Sequence, residues 1–141
     1  MKPIPVSLER YFFTVQSVIA NPDHDANNAA TRVHLKIENS LSPVPQQKDR
    51  FGIEVSVSLD KENSNNAPYD IRVTAFGIIK IIDGETGQNE IDYLLKVAGA
   101  QMMIGIIRER IAEMTSRGPW PITHLNFVPI QLAIDNDVSP E

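Results

Sequence analysis

The sequence predicts an α+β fold, in which a four-stranded antiparallel sheet is followed by a long C-terminal helix packed on one face of the sheet. Apolar and polar residues alternate with a period of two in the first half of the chain, which is typical of half-buried strands. None of the connections there has the apolar spacing of a crossover helix, so the strands are expected to pair antiparallel. In the second half, apolar residues recur at helical spacing up to a Gly-Pro stop.

The length of 141 residues favours a single domain. Residues 1–82 are predicted to form the sheet, and residues 89–117 the helical region. Residues 119–134, which are apolar but contain three prolines, are predicted to be extended and packed on the domain. The last seven residues, 135–141, are expected to be a loose tail.

The four strands are predicted at residues 11–19, 31–38, 53–60 and 69–82, where β-branched residues are frequent or apolar residues alternate with polar ones. The first ends at Asn-Pro-Asp turn chemistry. Between the second and third strands, residues 39–50 contain two prolines. This segment is predicted to be a long loop that arches across one end of the sheet.

The helical region is predicted to begin with Asn89 as N-cap and to break or kink near Gly99. Arg117, Gly118 and Pro119 are expected to end it, because they supply a basic last turn, a left-handed cap and a residue that cannot continue the helix. One apolar stripe is predicted along the helix: Ile104, Ile107, Ile111 and Met114.

Two segments carry more apolar surface than one small domain normally buries. Residues 76–82 are apolar on both faces of a strand, and residues 102–107 are apolar around most of a helix. Phe12 and Phe13 are adjacent, so in a strand one of them must face away from the core. The surplus predicts either packing between identical subunits or a hydrophobic groove for an extended peptide.

No motif of catalysis or cofactor binding stands out. The absence of cysteine excludes disulfides, thiol catalysis and thiolate metal sites. The cluster Asp23-His24-Asp25 lies in strongly turn-like sequence and lacks the spaced partners of a metal site. Glycine-rich phosphate loops and local nucleophile motifs are also missing. We therefore predict no catalytic residue, metal or cofactor, and keep an enzyme with a dispersed site as an alternative.

Charge and hydropathy suggest the environment of the protein. Thirteen basic against eighteen acidic side chains give a net charge of -5, which disfavours nucleic-acid binding by bulk charge. No apolar run is long enough to insert into a membrane, and Lys2, Pro3, Pro5 and Glu9 replace the apolar core of a signal peptide. Without cysteines, this favours a cytoplasmic protein.

Three segments carry a family resemblance. Residues 108–121 read Arg-Glu-Arg-Ile-Ala-Glu-Met-Thr-Ser-Arg-Gly-Pro-Trp-Pro, followed at 125–130 by Leu-Asn-Phe-Val-Pro-Ile. Upstream, residues 76–81 read Phe-Gly-Ile-Ile-Lys-Ile. Together these segments resemble the SecB family of protein-export chaperones, and the order of four strands and then a long helix is similar as well.

The resemblance implies a cytoplasmic, ATP-independent holdase that assembles as a homo-oligomer, a dimer of dimers. Its hydrophobic grooves would bind unfolded precursor proteins before their delivery to the SecA motor. The resemblance also implies candidate residues for client binding or for the subunit interface. They are Phe76, Ile78, Met102, Met103, Ile106 and Trp120, to which the strand argument above adds Phe12.

One departure from the family concerns the outer face of the sheet, where the resemblance implies an acidic docking patch for SecA. Arg72 stands where a glutamate is expected, and Arg32, His34, Lys36 and Glu54 complete the candidate docking face. This face is neutral to basic, which weakens the case for SecA. A dedicated chaperone for one client, such as an antitoxin, or an adaptor for a folded partner is therefore the alternative.

Overall fold

A computed structural model describes residues 6–82, 93 and 95–121. It contains strands β1 (Val6–Ala20), β2 (Leu35–Val44), β3 (Gln47–Leu59) and β4 (Tyr69–Ile81), a π-helical turn (Leu95–Gly99) and helix α1 (Ala100–Thr115). The predicted α+β class is confirmed. Asn89, the predicted N-cap, and the segment from residue 122 onward lie outside the described residues.

The strands form one antiparallel sheet in the order β1-β4-β3-β2. Three strands joined in sequence, β2, β3 and β4, lie side by side, and β1 pairs with the last of them. This is a Greek-key arrangement with the chain direction reversed. It places β3 and β4 in the centre of the sheet and leaves β1 and β2 as its two edges.

The predicted loop over residues 39–50 is wrong, because this segment continues both β2 and β3. Val44 pairs with Gln47, so only a two-residue turn joins the strands, with Gln46 in the left-handed region at φ 65°. Pro43 pairs with Phe51 in the edge strand β2. An edge strand accepts proline because its outward N–H needs no strand partner.

The second strand begins four residues later than predicted, at Leu35 instead of residue 31. Upstream of it, Arg32 forms an isolated antiparallel bridge with Asn65. The main-chain N–H of His34 donates to the Ser64 hydroxyl, and its carbonyl accepts from the N–H of Asp60. Pairing with the loop before β4 therefore holds these residues away from the regular strand.

The sheet has a helix face, covered by α1, and an outer face on its opposite side. Alternate residues of β3 and β4 point to the helix face and form the core with the helix. The most deeply buried members are Ile53, Val55, Val57, Ile71, Val73, Ala75, Ile79, Met103, Ile107 and Ile111. The predicted stripe of α1 is confirmed for its three isoleucines, and Met114 is half-buried.

Two register shifts in β1, between Leu8 and Arg10 and between Phe13 and Val15, reset which side chains face the helix. Between the two shifts, Phe12 pairs with Phe76 on the outer face, and Phe13 pairs with Ala75 on the helix face. The prediction that the adjacent phenylalanines face opposite ways is confirmed. Bulges of this kind re-aim side chains and twist an edge strand.

The helical region approaches the sheet closely at Gly99, where the π-helical turn meets α1. A Cβ atom at this position would lie 2.7 Å from Cδ1 of Ile79 and 3.3 Å from Cδ1 of Ile53. Only a residue without a side chain allows this approach, so Gly99 sets the distance between the helix and the sheet. The predicted kink at Gly99 corresponds to this change from π- to α-helical winding.

The chain leaving α1 is fixed to the end of the sheet by Tyr69 and Trp120. The Tyr69 hydroxyl accepts from the main-chain N–H of Trp120 (3.0 Å) and donates to its carbonyl (2.9 Å). The indole N–H of Trp120 donates to the Asn21 carbonyl (2.9 Å), and the His24 ring packs edge-on against the indole at 4.8 Å. These contacts tie helix, sheet and the loop after β1 into one unit.

Candidate binding surfaces

The edge strand β1 carries most of the exposed apolar surface of the sheet. Tyr11, Phe12 and Ile19 are 48%, 40% and 60% exposed, although a strand with one buried face normally keeps such side chains inside. Within the described residues, β1 pairs with β4 alone, so its other edge presents unpaired main-chain N–H and C=O groups. An apolar edge of this kind is a template for pairing with another chain.

A groove runs between β1 and α1 on the helix face, and its cavity measures about 350 Å³. Tyr11, Phe13 and Ile106 supply its apolar lining. The rings of Tyr11 and Phe13 meet edge to face with their centroids 6.4 Å apart. The groove thus has an apolar side, made of two aromatic rings and one aliphatic side chain, that faces a polar side.

Arg110 lies in the polar wall of this β1–α1 groove, which Gln16, Glu109 and Glu113 complete. Its Nε donates to the Gln16 side-chain oxygen at 2.6 Å, and its Nη1 donates to Glu113 Oε1 at 2.6 Å. The guanidinium carbon lies 5.9 Å from the centre of the Phe13 ring, within cation–π range. These contacts hold the guanidinium against the groove wall and hold Phe13 in place.

On the outer face, Phe12 and Phe76 form an aromatic pair whose ring centroids lie 5.6 Å apart. The Arg10 guanidinium carbon lies 5.4 Å from the centre of the Phe12 ring. The Phe76 ring extends over Gly52 of β3, where an added Cβ would approach its Cζ to 2.7 Å. Gly52 therefore makes room for Phe76 to lie flat on the sheet, as aromatic residues often do beside strand glycines.

Beyond this aromatic pair, an ion pair crosses the outer face above β4. Arg50 Nε donates to Glu9 Oε1 at 2.7 Å, and its second terminal nitrogen donates to the other carboxylate oxygen at 3.3 Å. These hydrogen bonds from Arg50 are the main reason why the pKa of the Glu9 carboxyl lies below its usual value, and the positive charge of Lys80 adds to the effect. The hydrogen bonds to Glu9 in turn raise the pKa of Arg50.

The structure divides the seven residues predicted for client binding or subunit contact among three environments. Phe12, Phe76 and Ile78 share the outer face. Ile106 and Met102 are half-buried on α1, and Ile106 lines the groove. Two residues are held within the protomer: Met103 is fully buried in the core, and Trp120 is held by the hydrogen bonds described above.

The five residues predicted for the docking face also separate. Lys36, Glu54 and Arg72 lie on the outer face, with Lys36 and Arg72 on either side of Ser58 in one row across the sheet. Arg32 and His34 precede β2 and belong to the loop end of the sheet. The outer face is thus mixed in charge instead of acidic.

Reasoning from the sequence missed Tyr11, Phe13 and Arg110, which build the β1–α1 groove. Tyr11 and Phe13 lie two residues apart in an aromatic run, and this spacing places them on the same face of a strand. Arg110 gave no such signal, because only the tertiary fold brings α1 beside β1. In the part of the chain that the structure describes, no group of acidic and histidine side chains is arranged to hold a metal ion. No described helix is long and apolar enough to cross a membrane.

Comparisons with known proteins give a clear answer for the fold. No protein-family model and no curated protein matches the sequence. Among solved structures, the chain is similar to the Rv1957 SecB-like chaperone of Mycobacterium tuberculosis, in complex with a ChAD peptide from the Rv1956 HigA1 antitoxin. The identity is 11%, the match covers 89% of this chain and 91% of the other, and the TM-score is 0.67.

A protein of unknown function from Streptococcus agalactiae is also similar, with 14% identity and a TM-score of 0.50. That match covers 86% of this chain and 97% of the other. At such identities the likeness concerns the fold and leaves activity to be argued from the surfaces. The resemblance read from the sequence and the structural match agree: the chain has a SecB-like fold.

Proposed function

We propose that the protein is an ATP-independent holdase chaperone that binds non-native polypeptide segments by burying their apolar side chains. The observation that carries this proposal is the exposure of large apolar side chains along β1, beside a groove lined by aromatic residues. Such surface is unfavourable in water and is normally kept for a partner. The SecB-like fold supports the same function, which needs no cofactor and no catalytic group.

In this proposal the client lies in the β1–α1 groove. Its apolar side chains contact Tyr11, Phe13 and Ile106, while Met102 offers a flexible side chain at the half-buried face of the helix. Methionine and aromatic residues adapt to differently shaped side chains, which suits a site that accepts many sequences. Phe12, Phe76 and Ile78 provide further apolar surface on the outer face.

We further propose that the protein is a homo-oligomer in the cytoplasm, a dimer of dimers. The free edge of β1 supports this part of the proposal, because a second copy can pair with it antiparallel and continue the sheet. Pairing would also cover part of the apolar surface of the edge strand. A second pairing of dimers would then use the remaining apolar surface of the protomer.

The test is light-scattering mass after gel filtration, measured with and without a slowly refolding denatured protein. We expect an oligomer that carries the denatured protein with it and ignores the native form of that protein. The variant Tyr11→Ser/Ile106→Ser should lose this binding. The control Val33→Ser, which also replaces an apolar side chain with serine but at an exposed loop position, should keep it. A stable oligomer that never carries the denatured protein would contradict the holdase function.

A dedicated client is the second candidate. The solved SecB-like chaperone from Mycobacterium tuberculosis is bound to a peptide from an antitoxin, which supports a single-client function for this fold. The neutral to basic outer face, with Arg72 at its centre strand, also favours a chaperone that acts without SecA. A dedicated chaperone should bind one partner protein in preference to unrelated denatured proteins at equal concentration. An adaptor should instead bind its partner in the native form.

A further inference from the structure

We propose that the outer face of β1 and β4 is a docking surface for an extended, acidic segment of a partner protein that has an apolar centre. Six residues form this surface, which we call the β1–β4 strip: Arg10, Phe12, Arg72, Phe76, Ile78 and Lys80. The strip lies on the opposite side of the sheet from the β1–α1 groove. The strip shares Phe12, Phe76 and Ile78 with the outer apolar surface of the proposed function, but its cations and the partner that they select go beyond the holdase activity.

Charge is the first argument. Arg10, Arg72 and Lys80 all point to the outer face, and none of them forms an ion pair with another described residue. The chain as a whole carries a net charge of -5, so three unpaired cations on two adjacent strands are a local excess of positive charge. Complementary potentials of this kind select a partner and speed its association.

The acidic side chains of these two strands are already engaged. Glu9 binds Arg50, and Asp70 binds Lys61 at 3.1 Å. On the other half of the outer face, β3 and β2 expose Glu54 and Glu38 instead. Lys36 offsets part of that negative charge, so an acidic segment is attracted more strongly to the β1–β4 half of the face than to the other half.

The arrangement of the strip sets the shape of the partner. Phe12, Phe76 and Ile78 occupy the middle with Arg10 beside Ile78, and Arg72 and Lys80 lie at the two ends. Lys80 and Arg72 are on the same side of β4, about 27 Å apart at roughly 3.4 Å per residue. An extended segment of about eight residues spans this distance, with its apolar side chains on the phenylalanine pair and its carboxylates near the cations.

The same spacing disfavours a nucleic-acid strand as the occupant. A nucleic acid has a phosphate at every nucleotide and needs a basic groove that follows its backbone. Here the middle of the strip has no cation apart from Arg10, whose guanidinium lies beside the Phe12 ring. The strip therefore fits a segment whose negative charges are confined to its ends.

The test uses two synthetic peptides of about ten residues with the same Val-Phe-Val centre, one with two Glu at each end and one with two Lys at each end. Fluorescence anisotropy gives the Kd of each peptide for the full chain at low and high salt. We expect the acidic peptide to bind at least about tenfold more tightly than the basic peptide at low salt, and salt to reduce the difference.

Charge reversal locates the site. Arg10→Glu/Arg72→Glu should weaken binding of the acidic peptide at least about tenfold and strengthen binding of the basic one. The matched control, Arg108→Glu/Arg117→Glu, reverses two exposed cations that are outside the strip and should leave both Kd values unchanged within about twofold. Phe12→Ala should weaken both peptides, because it removes half of the aromatic pair.

The holdase assay separates this inference from the proposed function, since both charge-reversal variants retain the apolar groove and should still bind a denatured protein. Equal affinity for the two peptides, or an equal effect of the control variant, would overturn the acidic-segment assignment. Tighter binding of a single-stranded oligonucleotide than of the acidic peptide, lost in Arg10→Glu/Arg72→Glu, would overturn the assignment to a protein partner.

Discussion

Among single residues, Tyr69 fixes the chain after α1 to the sheet, since its buried hydroxyl bonds both the N–H and the carbonyl of Trp120. We predict that Tyr69→Phe lowers the free energy of unfolding by about 1–3 kcal/mol, because two main-chain groups lose their partner. Urea denaturation followed by Trp120 fluorescence measures the loss. The control Tyr93→Phe removes an exposed hydroxyl and should change the free energy little; an equal loss there would contradict the explanation.

The ion pair between Glu9 and Arg50 makes a prediction about pH. Arg50 lowers the pKa of Glu9 in the folded protein, so the folded state binds the Glu9 proton less tightly than the unfolded state. The stabilisation is therefore present above the unfolded pKa and is lost as the pH falls through the lower, folded pKa. As the pH falls below about 4, the free energy of unfolding should therefore decrease less in the Glu9→Gln variant than in the unmodified protein.

Arg50→Gln provides the matched test of this pH effect, because it removes the same pair from the other side. The two single variants should show the same flattened pH dependence, and the double variant should add nothing further. Thermal unfolding between pH 7 and pH 3 measures the pH dependence of the stability of each variant. Additive effects of the two substitutions would show that Glu9 and Arg50 act independently.

Chemistry at single positions was only partly predictable from the sequence. The opposite orientation of Phe12 and Phe13 followed from strand geometry, and the structure confirms it. The burial of Met103 could not be foreseen, because it depends on Gly77, where an added Cβ would lie 2.8 Å from Met103 Sδ. Nothing in the local sequence links Gly77 to Met103.

At the scale of the elements, one glycine just before α1 and one within it have opposite expected effects. Gly105 is exposed and an added Cβ there would meet nothing within 4 Å, so Gly105→Ala should stabilise the protein by about 0.5–1 kcal/mol through helix propensity. At Gly99, a Cβ would press on Ile79 in the core, and Gly99→Ala should destabilise by about 1–3 kcal/mol.

Urea denaturation of the two alanine variants side by side tests this explanation, since both make the same chemical change near one helix. If both substitutions stabilised the protein, the close approach of helix and sheet at Gly99 would not limit the packing. If both destabilised it, Gly105 would have a packing role that its exposed position does not show.

The elements were predictable where periodicity was clean and missed where proline interrupted it. Alternation identified the inward side of β3 and β4, and helical spacing identified the buried stripe of α1. Residues 39–50 were assigned to a loop because Pro43 and Pro45 usually end strands. Whether a proline is tolerated depends on the strand lying at an edge, and strand order is a property of the whole sheet.

For the whole molecule, the free edge of β1 predicts how assembly can be disrupted. Tyr11→Lys/Ile19→Lys places charge at the edge, which natural sheets use to prevent pairing between edges. If the proposed dimer of dimers forms, we expect the mass from light scattering to fall from that of the tetramer to that of a dimer or less. Tyr93→Lys, at a comparably exposed aromatic residue outside the sheet, should leave the mass unchanged.

An unchanged mass for Tyr11→Lys/Ile19→Lys would exclude the β1 edge as the subunit interface. The far-UV circular dichroism of the variant serves as a check that the sheet itself is intact. At this scale the sequence predicted that apolar surface would be in excess. It could not place the groove, because Tyr11 and Ile106 are brought together only by the docking of α1 against the edge of the sheet.

The pairing of the first strand with the last has a consequence during synthesis. Ala20 pairs with Tyr69 and Val6 with Ile81, so each residue of β1 is made about 50 to 75 residues before its partner. At translation rates of roughly 5–20 residues per second, the most apolar edge of the sheet stays unpaired for several seconds on the ribosome. A protein with this topology exposes an aggregation-prone edge as a nascent chain, and if the proposed holdase function is correct, older copies of the protein are suited to protect it.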